Sequence, residues 1–388
     1  MSTRVDPTLL DQIKAYGAVN PEACFNCGNC TAICPLTTDE HPFPRSTIRL
    51  LQMGLRDRLL ESTDPWLCYY CGDCTKTCPK GAEPAETMMA ARRWLTAQYD
   101  RSGQGAQLYT SERAVLWAVV RYVLLTLVVF IAFHVATGFE HIVTDHVALN
   151  TFAPVMLVWA FVLLHFAILA VRLVANTLNL AKRVMRSTTD AVDIPLSVYV
   201  AEFKEFVVHF LTQKRWRDCN AMDRSRWLKH LLLVSGYVTM LVLVVGLLGW
   251  FQTDAIYPVY HPQRWLGYYA TIVLIYASSE ALIGRWRKRE ELHRFSHHTD
   301  WLFPVFILTG AVTGILVHIF RYAGWAWPTY IIYVIHLMAM FAMLDTEVGI
   351  GKWTHLIYRP LVMYLEAVKR RARALEKAAP ASVYAGSD

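Results

Sequence analysis

The sequence predicts an all-α protein in which a cysteine-rich domain precedes a bundle of six membrane-spanning helices. The chain of 388 residues is 55% hydrophobic and only 18% charged, whereas soluble domains are about a quarter charged. Most of its cysteines lie before residue 110, and six apolar stretches of spanning length follow Glu112. We therefore expect one domain at 1–110, a membrane domain at 111–365 and a basic tail at 366–388.

The apolar stretches predict six transmembrane helices. They cover about 114–137, 155–175, 228–250, 265–283, 301–320 and 329–344. The segment at about 182–227, between the second and third stretches, is amphipathic and too charged to cross lipid. Buried core helices of a large soluble protein are the alternative explanation, but six such runs with Trp and Tyr at several ends favour a membrane.

Basic residues predict the orientation of these helices. If the N-terminus is cytoplasmic, the inner segments hold 22 Lys and Arg, and the outer loops hold two, Arg264 and Arg321. The positive-inside rule then predicts a multi-pass protein of the cytoplasmic membrane with both termini in the cytoplasm. Residues 1–110 hold 11 Lys and Arg against 12 Asp and Glu, a net −1 of the total +7. The positive charge therefore lies with the apolar part, which excludes nucleic-acid binding as its explanation.

Two quartets of cysteines repeat one spacing, C-x2-C-x2-C-x3-C-P. The first is Cys24, Cys27, Cys30 and Cys34, and the second is Cys68, Cys71, Cys74 and Cys78. In this pattern the first three cysteines hold one 4Fe–4S cluster and the fourth turns away to the other cluster. We therefore assign cluster 1 to Cys24, Cys27, Cys30 and Cys78, and cluster 2 to Cys68, Cys71, Cys74 and Cys34.

The alternatives for these cysteines are less suitable. Structural zinc prefers paired C-x2-C knuckles with longer gaps, and disulfides do not persist on the reducing side of the membrane. Between the quartets, Ile48, Leu51, Leu55 and Leu59 recur at helical spacing, which indicates an α-helical ferredoxin domain. Cys219 stands alone in the amphipathic segment and is interpreted as a plain thiol, with a ligand or redox role as the alternative.

Histidines inside or beside the spans are candidate haem ligands, because a buried imidazole without a partner is costly in a membrane. A haem b in a helical bundle needs two axial imidazoles from different helices at one depth. His230 and His355 lie at the predicted cytoplasmic level, and His336 and His318 lie in the outer half. This placement predicts two haems in a six-helix transmembrane bundle. His134, His165 and Met240 are alternatives to His318, and a haem-free membrane anchor is the alternative to the whole interpretation.

The double cysteine motif resembles the small ferredoxin-like subunit of heterodisulfide reductase. The residues around His230, Tyr330-x5-His336 and Lys352-x2-His355-x2-Tyr358-Arg359-Pro360 resemble the dihaem cytochrome b subunits of nitrate reductase and heterodisulfide reductase. The fusion resembles the membrane subunits of quinone-modifying oxidoreductase complexes. In the nitrate reductase type, a haem ligand follows the first histidine by ten residues. Met240 stands at that position here, which is why His318 enters the assignment.

That resemblance implies a function, partners and cofactors. The implied function is electron exchange between menaquinone or ubiquinone and cytosolic flavin/iron–sulfur subunits, the A and B subunits of such a complex. These connect to adenylylsulfate reductase in dissimilatory sulfur metabolism. Heterodisulfide-reductase-like subunits or an electron-transferring flavoprotein are the alternative partners. The chain has no flavin or dinucleotide motif, so we expect an electron-transfer subunit rather than an autonomous enzyme.

The quinone site is the least determined part of this interpretation. A quinone needs a pocket beside a haem with proton-active side chains at its mouth. The outer loop offers Asp254, His261 and Arg264, and ordinary interfacial loop polarity is the alternative reason for them. Inner-side candidates are His297, His298, Asp300 and Glu280, although Glu280 is also placed to pair with Arg285 or Arg287.

Overall fold

The structure, a computed structural model, describes residues 4–38, 41–189, 193–213, 224–348 and 351–378. These ranges form α-helices and two single-turn 3₁₀ helices without a β-strand; one isolated bridge joins Thr38 and His41. The predicted all-α class is confirmed. Cys219 lies outside the described residues, as does the end of the chain after Ala378.

Eight helices precede the first span. They are α1 (Leu9–Ala15), α2 (Asn29–Ile33), α3 (Arg45–Gln52), α4 (Arg56–Glu61), α5 (Asp64–Leu67), α6 (Asp73–Lys76), α7 (Pro84–Tyr99) and α8 (Gln104–Thr110). Pro84 stands at the start of α7, where its missing N–H costs no helical hydrogen bond. The helix pattern predicted between the cysteine quartets is therefore present as α3 to α5.

Six helices are long and apolar enough to cross a membrane. Five lie within α9 (Glu112–Ala136), α11 (Val155–Thr189), α13 (Arg224–Val245), α15 (Pro262–Trp286) and α16 (Thr299–Tyr322), and the sixth, Ala326–Glu376, begins with α17 (Ala326–Glu347). Three further helices are α10 (Leu149–Phe152), α12 (Leu196–Thr212) and α14 (Leu248–Phe251), and α18 (Lys352–Ala378) follows α17. The chain is thus a multi-pass membrane protein.

The chain divides into two compact units, and the division differs from the predicted domains. The first unit comprises 1–102, 175–222 and 354–388, and the second comprises 103–174 and 223–353. The cysteine-rich unit therefore includes the end of α11, all of α12 and most of α18. Apolar burial explains this, because Leu180, Val184, Val362 and Val368 are each 0% exposed. Most of the predicted basic tail is consequently the end of a packed amphipathic helix.

In the second unit the spans pack as neighbours in the order α13, α15, α16, α17 and α9. Small residues permit close approach between two of these pairs. A Cβ at Gly236 of α13 would lie 2.3 Å from a Val273 side-chain atom of α15, and one at Gly310 of α16 would lie 2.4 Å from Met340 of α17. Gly310 of α16 therefore faces the last span.

Candidate functional site

The two cysteine motifs fold in the same way. Each passes through a glycine at positive φ, Gly28 (+94°) or Gly72 (+87°), directly after its second cysteine. A short helix then begins, α2 or α6, and carries the third cysteine, Cys30 or Cys74. The fourth cysteine follows the end of that helix. Because only glycine adopts positive φ without strain, the glycine after the second cysteine is part of the motif.

The helix in each motif carries the fourth cysteine away from the other three. One cavity of about 340 Å³ is lined by Cys24, Cys27, Cys30 and Cys78. The other, of about 420 Å³, is lined by Cys34, Cys68, Cys71 and Cys74. The cysteines line the two cavities in the groups to which the sequence assigns clusters 1 and 2. Which cysteines ligate which cluster stays a prediction.

The residues around these cavities fit an iron–sulfur cluster better than single metal ions. A structural zinc ion needs four ligand atoms converging on one point at about 2.3 Å. In the part of the chain that the structure describes, three or more His, Cys, Asp or Glu side chains nowhere converge in this way. Backbone amides point at two of the sulfurs: Tyr70 N lies 3.3 Å from Cys68 Sγ, and Ala82 N lies 3.4 Å from Cys78 Sγ. Such N–H···S contacts tune a cluster's potential.

Two of the cysteine thiols, those of Cys30 and Cys74, have raised pKa values. Burial raises the pKa of Cys74, and the neighbouring cysteines, Cys68 first, raise it further. Burial also raises the pKa of Cys30. The raised pKa values favour the protonated thiols at Cys30 and Cys74, so a cluster that binds these two cysteines as thiolates displaces their protons.

Comparison with known proteins agrees with this geometry. Residues 20–82 match the family described as the 4Fe-4S dicluster domain. The chain carries a 4Fe–4S dicluster domain. A protein of Archaeoglobus profundus, described as similar to the C-type subunit of heterodisulfide reductase, is 37% identical over 98 residues, which cover 25% of this chain and 52% of that protein. The chain thus spans about half the length of this relative. No solved structure matches it.

A buried arginine holds the backbone that leads into the second motif. Arg92 of α7 is 5% exposed and donates hydrogen bonds to the carbonyl oxygens of Pro65 and Cys68. Its Nη2 also lies 3.5 Å from the Trp66 carbonyl oxygen. A buried guanidinium needs several acceptors to compensate its desolvation. Arg92 therefore ties together the short segment that ends at the first cysteine of this motif.

Three aromatic residues link the same segment to α18. Trp66, Tyr99 and Tyr358 are each 2% exposed or less. The rings of Trp66 and Tyr358 meet edge to face with centroids 5.4 Å apart, and Tyr99 stacks on Trp66 at 6.3 Å. Arg359 Nε donates to the Trp66 carbonyl oxygen over 3.0 Å. Sequence reasoning missed this cluster, although Tyr358 and Arg359 belong to the motif on which the cytochrome resemblance rests.

The four predicted haem ligands lie on three spans and α18. His230 is half-buried near the start of α13, in the second unit, and His355 is half-buried near the start of α18, in the first unit. Met240, the alternative that the spacing suggests, is half-buried on α13. Because His230 and His355 belong to different compact units, their pairing stays a prediction.

His336 has the surroundings of a ligating imidazole. Its Nδ1 lies 2.9 Å from Thr313 Oγ1, which leaves Nε2 as the nitrogen for a metal. Ligating histidines commonly hydrogen-bond through the second ring nitrogen. The five residues from His336 to Met340 are all half-buried. Gly314 of α16 is also a neighbour of this ring, since a Cβ there would lie in ordinary contact, 3.5 Å from His336 Cε1. The hydrogen bond to Nδ1 therefore fits His336 as a metal ligand through Nε2.

The ring of His318 has different neighbours from the ring of His336. Its Nε2 lies 2.8 Å from the hydroxyl oxygen of Tyr268 on α15, and its ring contacts Tyr322 at 4.3 Å. His336 contacts α16 instead, so the two rings have different neighbours. His318 can ligate iron through Nε2 only by giving up the Tyr268 hydroxyl. His318 as a ligand also stays a prediction.

The outer-loop quinone candidates each have a local structural role. Asp254 accepts from Asn150 N over 2.5 Å and from Thr151 Oγ1 over 3.2 Å. His261 caps α15, where its ring accepts from Gln263 N, and it stacks on Tyr257 at 4.4 Å. Arg264 is 6% exposed and lies about 6 Å from the ring centres of Phe251 and Tyr322. None of these contacts joins the three candidates to one another, and their quinone role stays a prediction.

The residues that are quinone-site candidates on the inner side also have ion-pair or hydrogen-bond partners. Glu280 pairs with Lys229 at 2.8 Å and with Arg289 at 3.2 Å, rather than with Arg285 or Arg287. Asp300 pairs with Lys352 at 2.6 Å. His298 Nε2 lies 2.8 Å from the Leu108 carbonyl oxygen, and His297 Nδ1 lies 2.9 Å from Thr299 Oγ1. These residues form the polar ends of α15 and α16.

Proposed function

We propose that this chain is the membrane subunit that passes electrons between a quinone in the bilayer and cytosolic flavin/iron–sulfur subunits. Its carriers are one or two haems b and two 4Fe–4S clusters. One observation carries the proposal. His355 lies one turn before Tyr358 on α18, Tyr358 packs on Trp66, and Trp66 lies two residues before Cys68. A candidate haem ligand and a cluster ligand are thereby connected through packed aromatic side chains within one compact unit.

The four cysteines around each cavity support the proposed ligand sets. Cluster 1 takes Cys24, Cys27, Cys30 and Cys78, and cluster 2 takes Cys34, Cys68, Cys71 and Cys74. The shared ligation, in which each motif gives its fourth cysteine to the other cluster, holds α2 and α6 together, and these two helices are in contact. Close clusters of this kind pass single electrons onward.

His230, His336 and His355 are the proposed haem ligands, with His318 as the fourth. Haem supplies a one-electron carrier inside the membrane, between a two-electron quinone and the clusters. The hydrogen bond between Thr313 and His336 Nδ1 orients the imidazole and fixes which nitrogen carries the proton.

The wider setting follows from the resemblance and is also proposed. The chain belongs in a quinone-modifying oxidoreductase in the cytoplasmic membrane, with both termini in the cytoplasm. It uses menaquinone or ubiquinone, and its cytosolic subunits connect to adenylylsulfate reductase. A heterodisulfide-reductase-like complex is the second candidate, favoured by the similarity to the Archaeoglobus profundus protein.

A reduced-minus-oxidised absorbance spectrum of the purified full chain tests the proposal. We expect a b-type haem band together with broad iron–sulfur absorption, and partial bleaching of the latter on reduction. Adding menaquinol with the native companion subunits should then reduce the clusters. Iron–sulfur absorption without a b-type band would identify the chain as a haem-free anchor with a ferredoxin head.

A further inference from the structure

An apolar cavity lies in the second unit, among α9, α11, α17 and Ala153, a residue just before α11. Its lining residues are Thr126, Val129, Phe130, Phe133, Ala153, Leu157, Val158, Phe161, Leu337 and Phe341. Thr126 is the one polar residue in this lining, and its Oγ1 donates a hydrogen bond to the Tyr122 carbonyl oxygen over 2.8 Å. Leu157 is 39% exposed on a spanning helix, so a molecule dissolved in the lipid has a lateral route to the cavity.

Two buried histidines, which are not themselves lining residues, each contact a residue that lines this cavity. His165 is 8% exposed, its Nε2 lacks a hydrogen-bond partner, and its ring contacts the lining residue Phe341 at 5.5 Å. His134 is 5% exposed, with neither ring nitrogen paired, and contacts the lining residue Phe133 at 5.1 Å. His165 also contacts Tyr122, three turns before His134 on α9. Tyr122 and His134 are therefore roughly 18 Å apart along α9 at 1.5 Å per residue, and His165 lies beside Tyr122.

The two ends of the cavity differ in polarity. Beside His165, the Tyr122 hydroxyl donates to Asp345 Oδ1 over 2.9 Å. Asp345 is 4% exposed and also accepts from Arg121 and Gln104, each over 3.0 Å. At the other end, His134 is surrounded by Phe130, Phe133 and Phe152. The site therefore suits an elongated molecule with a polar head at His165 and an apolar body extending toward His134.

We propose that this cavity binds an isoprenoid quinone, with a headgroup oxygen hydrogen-bonded to His165 Nε2. The site lies among α9, α11 and α17, and Asp254, His261 and Arg264 of the outer loop are not among its lining residues. An unpaired buried imidazole costs free energy that a headgroup carbonyl or hydroxyl recovers. Aromatic side chains along the cavity suit a prenyl tail. The inference rests on the proposed quinone function and adds to it a location and an anchoring residue.

The test is a binding titration on the full-length protein in detergent. The probe is a fluorescent heptyl-hydroxyquinoline N-oxide, a headgroup analogue whose fluorescence is quenched when it binds. We expect His165→Ala to weaken binding about tenfold or more, as loss of a buried hydrogen bond does. Val129→Phe, which fills the cavity without altering a polar group, should also weaken it. His146→Ala, in an exposed loop of the same unit, is the matched control, and the electron paramagnetic resonance of the clusters checks folding.

The outcomes separate this inference from the function on which it rests. Binding by the unmodified protein that His165→Ala and Val129→Phe leave unchanged would overturn the site and leave the quinone function standing. If only His134→Ala weakened binding of the analogue, the headgroup would lie beside His134, and the anchoring role of His165 would be overturned. Absence of binding by the unmodified protein would overturn both proposals. Loss of a b-type band in His165→Ala would show that this histidine holds haem, which also overturns the quinone site.

Discussion

Arg359 Nε donates a hydrogen bond to the backbone carbonyl oxygen of Trp66 over 3.0 Å, across 293 residues of sequence. This bond joins α18, the helix that carries His355, to the short helix that leads into Cys68. Arg359 also lies over the ring of Tyr69 at 5.8 Å. The same side chain thus contacts both sides of the first cysteine in the second motif.

Replacing Arg359 by Met should destabilise the cluster-binding unit by about 1–3 kcal/mol, because the Trp66 carbonyl oxygen loses the shorter of its two contacts with arginine donors. The measurement is the midpoint of thermal loss of iron–sulfur absorbance in the purified protein. Arg373→Met, which changes an exposed arginine on the same helix, is the control. Equal midpoints for the two variants would show that the bond to Trp66 does not stabilise this unit.

The cysteine grouping predicts which substitutions act together. Cys34→Ser and Cys74→Ser should perturb one set of electron paramagnetic resonance signals, while Cys78→Ser and Cys27→Ser perturb the other. Each variant should retain at least about four of the eight irons expected for two clusters. If Cys34→Ser instead altered the same signals as Cys27→Ser, each motif would bind its own cluster and the shared ligation would be wrong.

The haem proposal predicts that His336→Ala lowers the haem-to-polypeptide ratio by one. Thr313→Val should retain haem but shift its midpoint potential, because the Nδ1 hydrogen bond that orients the imidazole is lost. Pyridine haemochrome analysis and a redox titration measure the two effects.

His318→Ala identifies the fourth ligand. If His318 ligates the same iron as His336, its variant also loses one haem, whereas Tyr268→Phe keeps both. Two haems in His318→Ala would contradict the pairing and direct the search to His134, His165 or Met240.

His41 predicts a pH dependence of the cysteine-rich unit. Its hydrogen bond to Asp64, with Nε2 and Oδ1 2.7 Å apart, raises the pKa of His41 above its ordinary value. A group with a raised folded-state pKa stabilises the fold fully below its unfolded pKa and loses that contribution as the pH rises through the folded value. The midpoint temperature for loss of iron–sulfur absorbance should therefore fall modestly as the pH rises from about 6 to about 8.

His41→Asn should remove the part of this dependence that comes from the His41–Asp64 pair, and His209 and His355 are the other histidines of this compact unit. His146→Asn, in an exposed loop of the other unit, should leave it unchanged. If the midpoint temperature depended on pH equally in His41→Asn and the unmodified protein, the His41–Asp64 pair would not be the source of that dependence.

Chemistry that depends on short spacing along the chain could be recognised from the sequence. The cysteine motifs place their ligands within a few residues of one another, and membrane spans depend on the composition of one continuous stretch. Both the dicluster domain and the six spanning helices could therefore be predicted. The positive φ of Gly28 and Gly72 is a local property of the same kind.

Relations between distant segments needed the folded chain. The contact of Trp66 with Tyr358 depends on how α18 packs, and no spacing in the sequence encodes it. The hydrogen bond that occupies His318 Nε2, and the unpaired Nε2 of His165, likewise follow from which helices are neighbours. Ligand spacing and apolarity belong to a stretch of chain, whereas cavities and the partners of buried side chains arise only from the packing of helices far apart in sequence.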